Sequence, residues 1–408
     1  MSRVTKSALF SLALSLLGPG TALSATAPPP EMSSQEGPRA TAEADEEAFR
    51  TAIRQLEANQ GAYATGLSEQ LLSLGLALQS QGRHREAVDL FKRGVHVARI
   101  NDGLYSEEQI PLLQGEIASH IALGEYSEAD ERQRYLYRVQ IRSMSSGHPR
   151  ALALMQQAKW QYNAYLLRLG TQGFARLMHM WDLYRLALND IIAREGKSSE
   201  QLLVPLNGML QAQYLISGYD PQSESSSGFN SADDLGARQE LNRFNAYRAQ
   251  SFEKGSAVIL AMYDIEQHRG RPAAAAEKLV MLGDWQLWHE ERSEAWATYE
   301  SAISELAEQD DAQVRIDQLL GQPVALPDLD GVRALPPEVT PEQGNILLQF
   351  GVNEKGRVID LERVDEPGEN KARGHRLMRK LRKTKFRPRF DAGQRVETEQ
   401  VVKAFVIN

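Results

Sequence analysis

The chain has 408 residues, 42% of them hydrophobic and 25% charged, and a formal net charge of −8. This composition is ordinary for a soluble protein of two or three domains, and beyond the N-terminus it excludes a chain built of membrane-spanning segments. The sequence contains no cysteine, which excludes disulfide bonds, a thiol nucleophile and a lipid-modified N-terminal cysteine.

Residues 1–27 have the features of a secretory signal peptide. Two basic residues precede an apolar run at residues 8–17, and a Gly-Pro-Gly break and small residues follow it. Cleavage after Ser24 or Ala27 fits the preference for small side chains, and the run is shorter than the ~20 apolar residues that span a bilayer. We therefore expect a periplasmic protein. The alternative is an uncleaved N-terminus that anchors the chain in the inner membrane, facing the periplasm.

The N-terminal leader and the helical region differ sharply in composition. Residues 28–45 are rich in proline, serine and glycine, which predicts a disordered leader. Residues 46–320 follow a helical pattern, with Gly, Ser and Pro at intervals that suit turns between helical hairpins. A serine-rich stretch at residues 220–234 favours a disordered loop, and a single long helix is predicted after it, over residues 233–268.

The clearest hairpin pattern lies at residues 74–94. Leu74 and Gly75 precede a Gly-Arg-His break, and Ala87 and Phe91 follow it at helical spacing. Small residues at these positions would let two helices approach closely, while the larger ones would fill the seam between them. The pattern predicts two short helices folded back on each other.

A second copy of this pattern ends the helical region. The residues with the same relative spacing are Leu282, Gly283, Ala295, Tyr299 and Ala302. A partial copy at residues 124–129 repeats residues 82–87 at an offset of 42 residues. The pattern resembles the tetratricopeptide (TPR) repeat, whose usual period is about 34 residues, so we expect an α-solenoid with long loops or degenerate repeats.

The pattern changes again after residue 320. Five prolines mark residues 321–343 as a linker between domains. Beyond it, alternating apolar residues predict a hairpin at residues 346–364, followed by a helix at residues 369–384 and a last strand at residues 396–407. We therefore predict a mainly α chain that ends in a small α+β domain over residues 344–408.

This tail resembles the C-terminal domain of the TonB energy-transducer family. The matching positions are Gly344, Gly356, Arg357, Val358, Phe386, Arg387, Pro388 and Gly393, with the apolar strand at residues 401–407. The resemblance implies a periplasmic domain that binds outer-membrane receptors or other partners by strand addition. The resemblance does not extend to the N-terminal segment, through which the transducers couple to their proton-driven motor. Residues 8–17 contain no histidine, and no long Pro/Lys/Glu spacer precedes the tail.

Two surfaces of the tail are candidates for partner binding. The first is an apolar edge strand with free backbone groups, formed by Val401, Val402, Lys403, Ala404 and Phe405. The alternative is that the linker or a second copy of the chain covers this edge. The second is a basic helix face, Arg376, Arg379, Lys380 and Lys383, which would meet an acidic surface of a partner or of the array. The alternative there is a face that only contacts solvent.

The charge distribution supports a basic tail beside an acidic array. Residues 344–408 contain fifteen Lys and Arg and nine Asp and Glu, so they carry +6 and the rest of the chain carries −14. Basic residues alone would also fit nucleic acid. A secreted chain rarely meets nucleic acid, however, and the helix has no interleaved aromatic residues, so we predict no nucleic-acid partner.

Motifs for catalysis, cofactors and metals are incomplete. Gly196 lies in a Gly-Lys-Ser sequence, but Ile191 stands where a phosphate-binding loop needs a glycine. His289 begins like a zinc-protease helix, but Ser293 replaces the second histidine. We therefore predict that the protein is not an enzyme and has no cofactor or metal.

The sequence thus predicts a periplasmic protein–protein interaction protein, an adaptor or scaffold with TPR-like repeats and a TonB-like partner-binding domain. Its partners would be proteins of the cell envelope, with an outer-membrane receptor as one candidate. The alternative is a TonB-type energy transducer that supports outer-membrane transport, which requires a retained N-terminal anchor. Membrane association is expected only through such an anchor, and the oligomeric state stays open.

Overall fold

The computed structural model describes residues 36–170, 173–220, 235–365 and 370–407. Of the residues that the structure describes, 67% are helical, which confirms the prediction of a mainly α protein. The predicted signal peptide, the first part of the predicted leader and nearly all of the serine-rich loop lie outside the described residues.

Helices form nearly all of the described residues between 36 and 320. They are α1 (Glu36–Gln60), α2 (Leu67–Ser80), α3 (His84–Asp102), α4 (Gln109–Ala122), α5 (Tyr126–Ser143), α6 (His148–Leu166), α7 (Gly173–Glu195), α8 (Leu203–Gly218, after a 3₁₀ turn at Glu200–Leu202), α9 (Leu235–Ala249), α10 (Ser251–His268), α11 (Pro272–Trp288), α12 (Arg292–Ala307) and α13 (Ala312–Leu320).

Short turns make antiparallel pairs of these helices. Three residues connect α2 to α3, α4 to α5 and α11 to α12, and the helices of each pair pack on each other. Gly82 and Gly124 adopt φ values of 77° and 74° in the first two turns, a left-handed conformation that ends a helix most easily at glycine. The described part of the array is therefore a row of TPR-like helical pairs.

Two of the sequence-based boundaries in the helical region are wrong. Helix α1 begins at Glu36, so residues 36–45 are helical rather than a disordered leader. This stretch is rich in Ala and Glu, which favour helices. Helix α1 also packs on α2, and Ile53 is buried. The single helix predicted over residues 233–268 is two helices that break at Gln250. On the first of these helices, α9, the side chain of Phe244 is fully buried and packs against Phe174 and Tyr219.

The tail consists of short strands and one helix. They are β1 (Val324–Leu326), β2 (Asp328–Leu329), β3 (Val332–Arg333), β4 (Glu338–Val339), β5 (Ile346–Val352), β6 (Val358–Arg363), α14 (Lys371–Lys383), β7 (Lys385–Arg387), β8 (Arg389–Asp391), β9 (Gln394–Val396) and β10 (Val401–Phe405). The main sheet is antiparallel with the order β4-β10-β5-β6. Its core contains Phe350, Phe386 and Phe405 together with Leu377 and Leu381 of α14.

The proline-rich segment at residues 321–343 is built into the fold and is not an extended spacer. Strand β1 pairs with β7, β2 and β3 form a hairpin, and β4 joins the main sheet. Apolar residues between the prolines explain the difference, because Leu326 is 1% exposed, and Leu329 and Val332 pack against the core of the array. The last predicted strand, residues 396–407, is not continuous. Val396 ends β9, and β10 begins at Val401 and ends at Phe405.

Candidate functional site

The ring of Phe91 lies in the seam between α2 and α3. Leu74 and Ala87 are buried in the same core. A Cβ atom at Gly75 would lie 2.5 Å from Phe91 Cε1, and a Cβ atom at Gly115 of α4 would lie 2.6 Å from Cζ of the same ring. The three helices therefore approach closely because both glycines leave room for one aromatic ring.

Tyr299 occupies the corresponding seam between α11 and α12. A Cβ atom at Gly283 would lie 2.5 Å from Tyr299 Cε1, and the buried residues on the same two helices include Leu282, Ala295 and Ala302. The Tyr299 hydroxyl donates a hydrogen bond to Asp284 Oδ1 at 2.7 Å. This seam thus combines the small-residue packing of the first hairpin with a buried polar contact.

The same arrangement of ring and glycine recurs at two glycines on helices that lack the repeat signature. A Cβ atom at Gly208 of α8 would lie 2.3 Å from Cζ of Tyr184, and one at Gly255 of α10 would lie 2.3 Å from Cε2 of Trp285. Sequence reasoning missed both pairs. The available signal was an isolated glycine within a helical pattern, which often marks close packing of a neighbouring element.

A buried ion pair joins the array to the tail. Arg387 Nη1 of β7 donates to Asp284 Oδ2 of α11 at 2.7 Å, and the two side chains are about one-tenth exposed. Burial raises the pKa of Asp284 above its usual range, and the charge of Arg387 offsets only part of this rise. Phe390 adds a ring contact with Tyr299, with 5.4 Å between the ring centroids. The tail is therefore fixed to the last hairpin of the array.

Lys385 makes a second set of contacts at this junction. Its Nζ lies 2.8 Å from Glu290 Oε1 and 5.5 Å from the ring centroid of Trp288. The ring of His289 packs against the rings of Trp285 and Phe252, at centroid distances of 4.3 Å and 5.4 Å. Burial, with a smaller contribution from the charge of Lys385, lowers the pKa of His289 to about 4. The junction therefore contains a histidine that is neutral at pH 7.

Helix α14 presents a basic face to solvent. The residues Arg376, Arg379, Lys380 and Lys383 are all exposed, whereas Leu377 and Leu381 face the sheet. Among the described parts of the chain, no carboxylate lies within 4 Å of any of these four basic groups. The predicted contact between this helix and the acidic array is therefore not formed within those parts, and the alternatives of a separate partner or a solvated face remain.

Strand β10 is an inner strand of the sheet, so the prediction that it forms the edge is wrong. Its register places Ala404 beside Val339 and Phe405 beside Glu338 of β4, and Lys403 Nζ lies 2.6 Å from Glu338 Oε1. The proline-rich segment thus covers the second half of β10, which is the alternative that the sequence left open. The first half extends beyond β4, and Val401 and Val402 are 42% and 48% exposed.

The described residues hold no group of three or more His, Cys, Asp or Glu side chains that could bind a metal ion. None of the helices within those residues is both long enough and apolar enough to cross a bilayer.

Comparison with known proteins identifies no family for this chain. No protein-family model matches the sequence, and no curated protein matches it. Similar solved structures include BtubC (BKLC) from P. vanneervenii, which is 15% identical over 66% of this chain and 89% of that chain, with a TM-score of 0.36. A second is the kinesin light chain with nearly identical TPR-like repeats from Podosopora anserina, which is 14% identical over 59% of this chain and 96% of that chain, with a TM-score of 0.35. Because TM-scores this low do not establish a common fold, the assignment of TPR-like pairs rests on the helix packing described above.

Proposed function

We propose that this chain is a periplasmic interaction scaffold that is not an enzyme, in which the helical array holds the tail in position for a protein partner of the cell envelope. The tail would bind this partner through the basic face of α14 and the uncovered half of β10. Arrays of helical pairs expose large surfaces relative to their cores, which suits them to binding other proteins.

The exposed basic face of α14 is the observation that carries this proposal. The chain outside residues 344–408 has a net charge of −14, yet none of its described acidic residues pairs with Arg376, Arg379, Lys380 or Lys383. A field of one sign on a fixed surface attracts partners of opposite charge and orients their approach. An acidic protein surface is the partner that this chemistry fits.

Strand β10 supplies the second half of the proposed surface. The backbone C=O of Leu347 in β5 accepts a hydrogen bond from the N–H of Val364, directly after β6, so the backbone of Leu347 faces β6. The backbone N–H and C=O of the next residue, Leu348, therefore point the other way, toward β10. Leu348 is opposite Lys403. Alternation along β10 then directs the backbone N–H of Val402 away from β5, beyond the end of β4, where a strand of a partner could bind it.

The proposed compartment rests on residues 1–27, whose basic start, apolar run and small residues favour export and cleavage. The absence of cysteine from the whole sequence is compatible with a periplasmic protein, which then relies on core burial for its stability. The incomplete phosphate-binding and zinc motifs support a function in binding.

Reversal of charge on α14 tests this function. The variant carries Arg376→Glu, Arg379→Glu, Lys380→Glu and Lys383→Glu, and the control carries Arg85→Glu, Lys92→Glu, Lys159→Glu and Lys197→Glu at exposed positions of the array. Both sets change the net charge equally. Each purified protein would capture partners from cell-envelope extracts at about 0.1 M and about 1 M salt, where the screening lengths are roughly 10 Å and 3 Å.

The proposal predicts that the wild type and the array control capture the same protein at low salt, and that the α14 variant loses it. High salt should weaken capture by the wild type. Equal capture by all three proteins at both salt concentrations would show that α14 is only a solvated face.

A further inference from the structure

A groove opens between α5 and α7 on the side of the array formed by the second helices of two successive pairs. Its volume is about 670 Å³, which lies in the range of small ligand-binding sites. Helix α6 forms the floor of the groove, and the apolar residues that line the groove include Leu169, Leu183 and Leu186. The groove lies on the array, away from α14 and β10, so it is separate from the surfaces of the proposed function.

Two buried glutamines of α6 lie on the floor. Gln157 is 3% exposed and Gln161 is 8% exposed. Gln157 Nε2 donates to Gln133 Oε1 at 3.0 Å, and Gln161 Oε1 accepts from Arg176 Nη1 at 3.0 Å. Within the described residues, no hydrogen bond uses the remaining acceptor, Gln157 Oε1, or the remaining donor, Gln161 Nε2. One free acceptor beside one free donor is the pair that a peptide N–H and C=O require.

The walls of the groove carry excess positive charge. Arg134 and Arg176 share one carboxylate, Asp130, through contacts of 2.8 Å and 2.7 Å. Arg138 makes no ion pair among the described residues and lies over the ring of Tyr135. The acidic member of the lining, Asp182, is matched outside the groove by Arg185 at 3.4 Å and Arg243 at 3.8 Å. The arginines of the groove therefore outnumber the carboxylates available to them.

We propose that this groove binds a short, extended, acidic peptide segment of a partner protein. The two glutamines would hydrogen-bond the peptide backbone, Arg134 and Arg138 would pair with its carboxylates, and the leucines would contact the aliphatic parts of its side chains. Backbone recognition by buried amides sets the extended conformation, and the arginines select acidic side chains. The inference depends on the array and does not require that α14 binds a partner.

Titration of the full chain with a fluorescein-labelled hexaglutamate peptide tests the proposal. The titration uses the variant with the four charge reversals on α14, so that the basic helix cannot bind the probe. In this background, Arg138→Glu and Gln161→Leu remove one wall charge and one floor donor. Arg142→Glu is the matched control, because Arg142 lies on the same helix, is exposed and is outside the groove.

We expect hexaglutamate to bind and a hexalysine peptide not to bind. Arg138→Glu and Gln161→Leu should each weaken binding about ten-fold or more, as loss of a hydrogen bond to a charged or buried group does, and Arg142→Glu should change it less than about two-fold. A benzophenone-bearing form of the peptide should label α5 or α7, which provides a second readout if Gln161→Leu does not fold.

Absence of hexaglutamate binding would overturn the proposal. An equal loss of hexaglutamate affinity in Arg138→Glu and Arg142→Glu would also overturn it, because it would show attraction by the overall charge of the helix and not binding in the groove. A failure here combined with loss of partner capture by the α14 variant would leave the proposed function standing. Specific hexaglutamate binding combined with unchanged partner capture by the α14 variant would support the groove and reject α14 as the partner-binding surface.

Discussion

Arg387 and Asp284 are 103 residues apart in sequence, and their side chains form one hydrogen-bonded ion pair at 2.7 Å beneath the surface. One residue belongs to the tail and the other to the last helical pair of the array. Their contact, with the β1–β7 pairing and the ring of Phe390, makes the tail part of the end of the array. A partner bound to the tail is therefore held at a defined orientation to the helices.

Removing one member of this pair should destabilise the protein strongly. Arg387→Ala leaves the carboxylate of Asp284 buried without its cation, and such a loss typically costs about 3 to 5 kcal/mol. Chemical denaturation measures the change in the free energy of unfolding. Arg389→Ala, two residues along and partly exposed, is the control and should cost less than about 1 kcal/mol.

The double variant Asp284→Leu with Arg387→Met should be less destabilised than Asp284→Leu alone or Arg387→Met alone, because no unpaired charge stays buried. Additive losses in this double-mutant cycle would contradict the contact.

The seam at Phe91 has no room for a methyl group on its glycine side. Gly75→Ala should therefore destabilise the array by roughly 1 to 3 kcal/mol through overpacking, although alanine favours helices more than glycine does. Phe91→Leu in the same chain should recover part of that loss. Leu76→Ala is the control, because Leu76 is 47% exposed on the same helix. A melting temperature that rises with Gly75→Ala would show that the ring does not occupy the seam.

The junction should weaken in mild acid because of His289. Its pKa is about 4 in the folded protein, whereas an unperturbed histidine titrates near 6.5. Between these two pH values the unfolded chain binds more protons, so the free energy of unfolding contributed by this group falls as the pH decreases from about 6.5 to about 4.

Thermal melting between pH 7.5 and 4.5 tests this dependence on His289. The variant His289→Gln should lose less stability on acidification than the wild type, and His96→Gln, at an exposed position, should behave like the wild type. An unchanged pH dependence in His289→Gln would contradict the burial of this ring.

Proline substitutions distinguish the two sides of β10. Val402→Pro removes a backbone N–H that points away from β5, so the domain should stay folded and lose partner capture. Val401→Pro and Lys403→Pro remove donors that face β5 and should unfold the tail, because an inner strand tolerates proline poorly. Circular dichroism and partner capture measure the two effects. Partner capture by a folded Val402→Pro variant would eliminate strand addition at β10.

Local sequence patterns predicted the helical hairpins well because each depends on residues close together in the chain. The glycine and aromatic positions of α2, α3, α11 and α12 are visible as a period. The seams at Gly208 and Gly255 were missed, since their aromatic partners lie on other helices at spacings unlike those of the repeat.

Long-range contacts account for the wrong predictions in the tail. The prolines before the tail indicated a spacer, and only the pairing of β1 with β7 and of β4 with β10 shows that this segment is structured. The same pairing decides that β10 is an inner strand. The sequence around Asp284 does not indicate that Arg387 is its partner, because two residues 103 positions apart form no repeating pattern along the chain. The glutamine floor of the groove was missed for the same reason.

Mass spectrometry of the chain purified from its own cells, together with the proteins bound to it, tests the central claim of a periplasmic interaction scaffold most directly. The account predicts a mature chain that begins at Ala25 or Pro28, recovered with an acidic protein of the cell envelope that the four charge reversals on α14 release. A chain that begins at Met1 or Ser2 in washed inner membranes and carries no bound protein would contradict it.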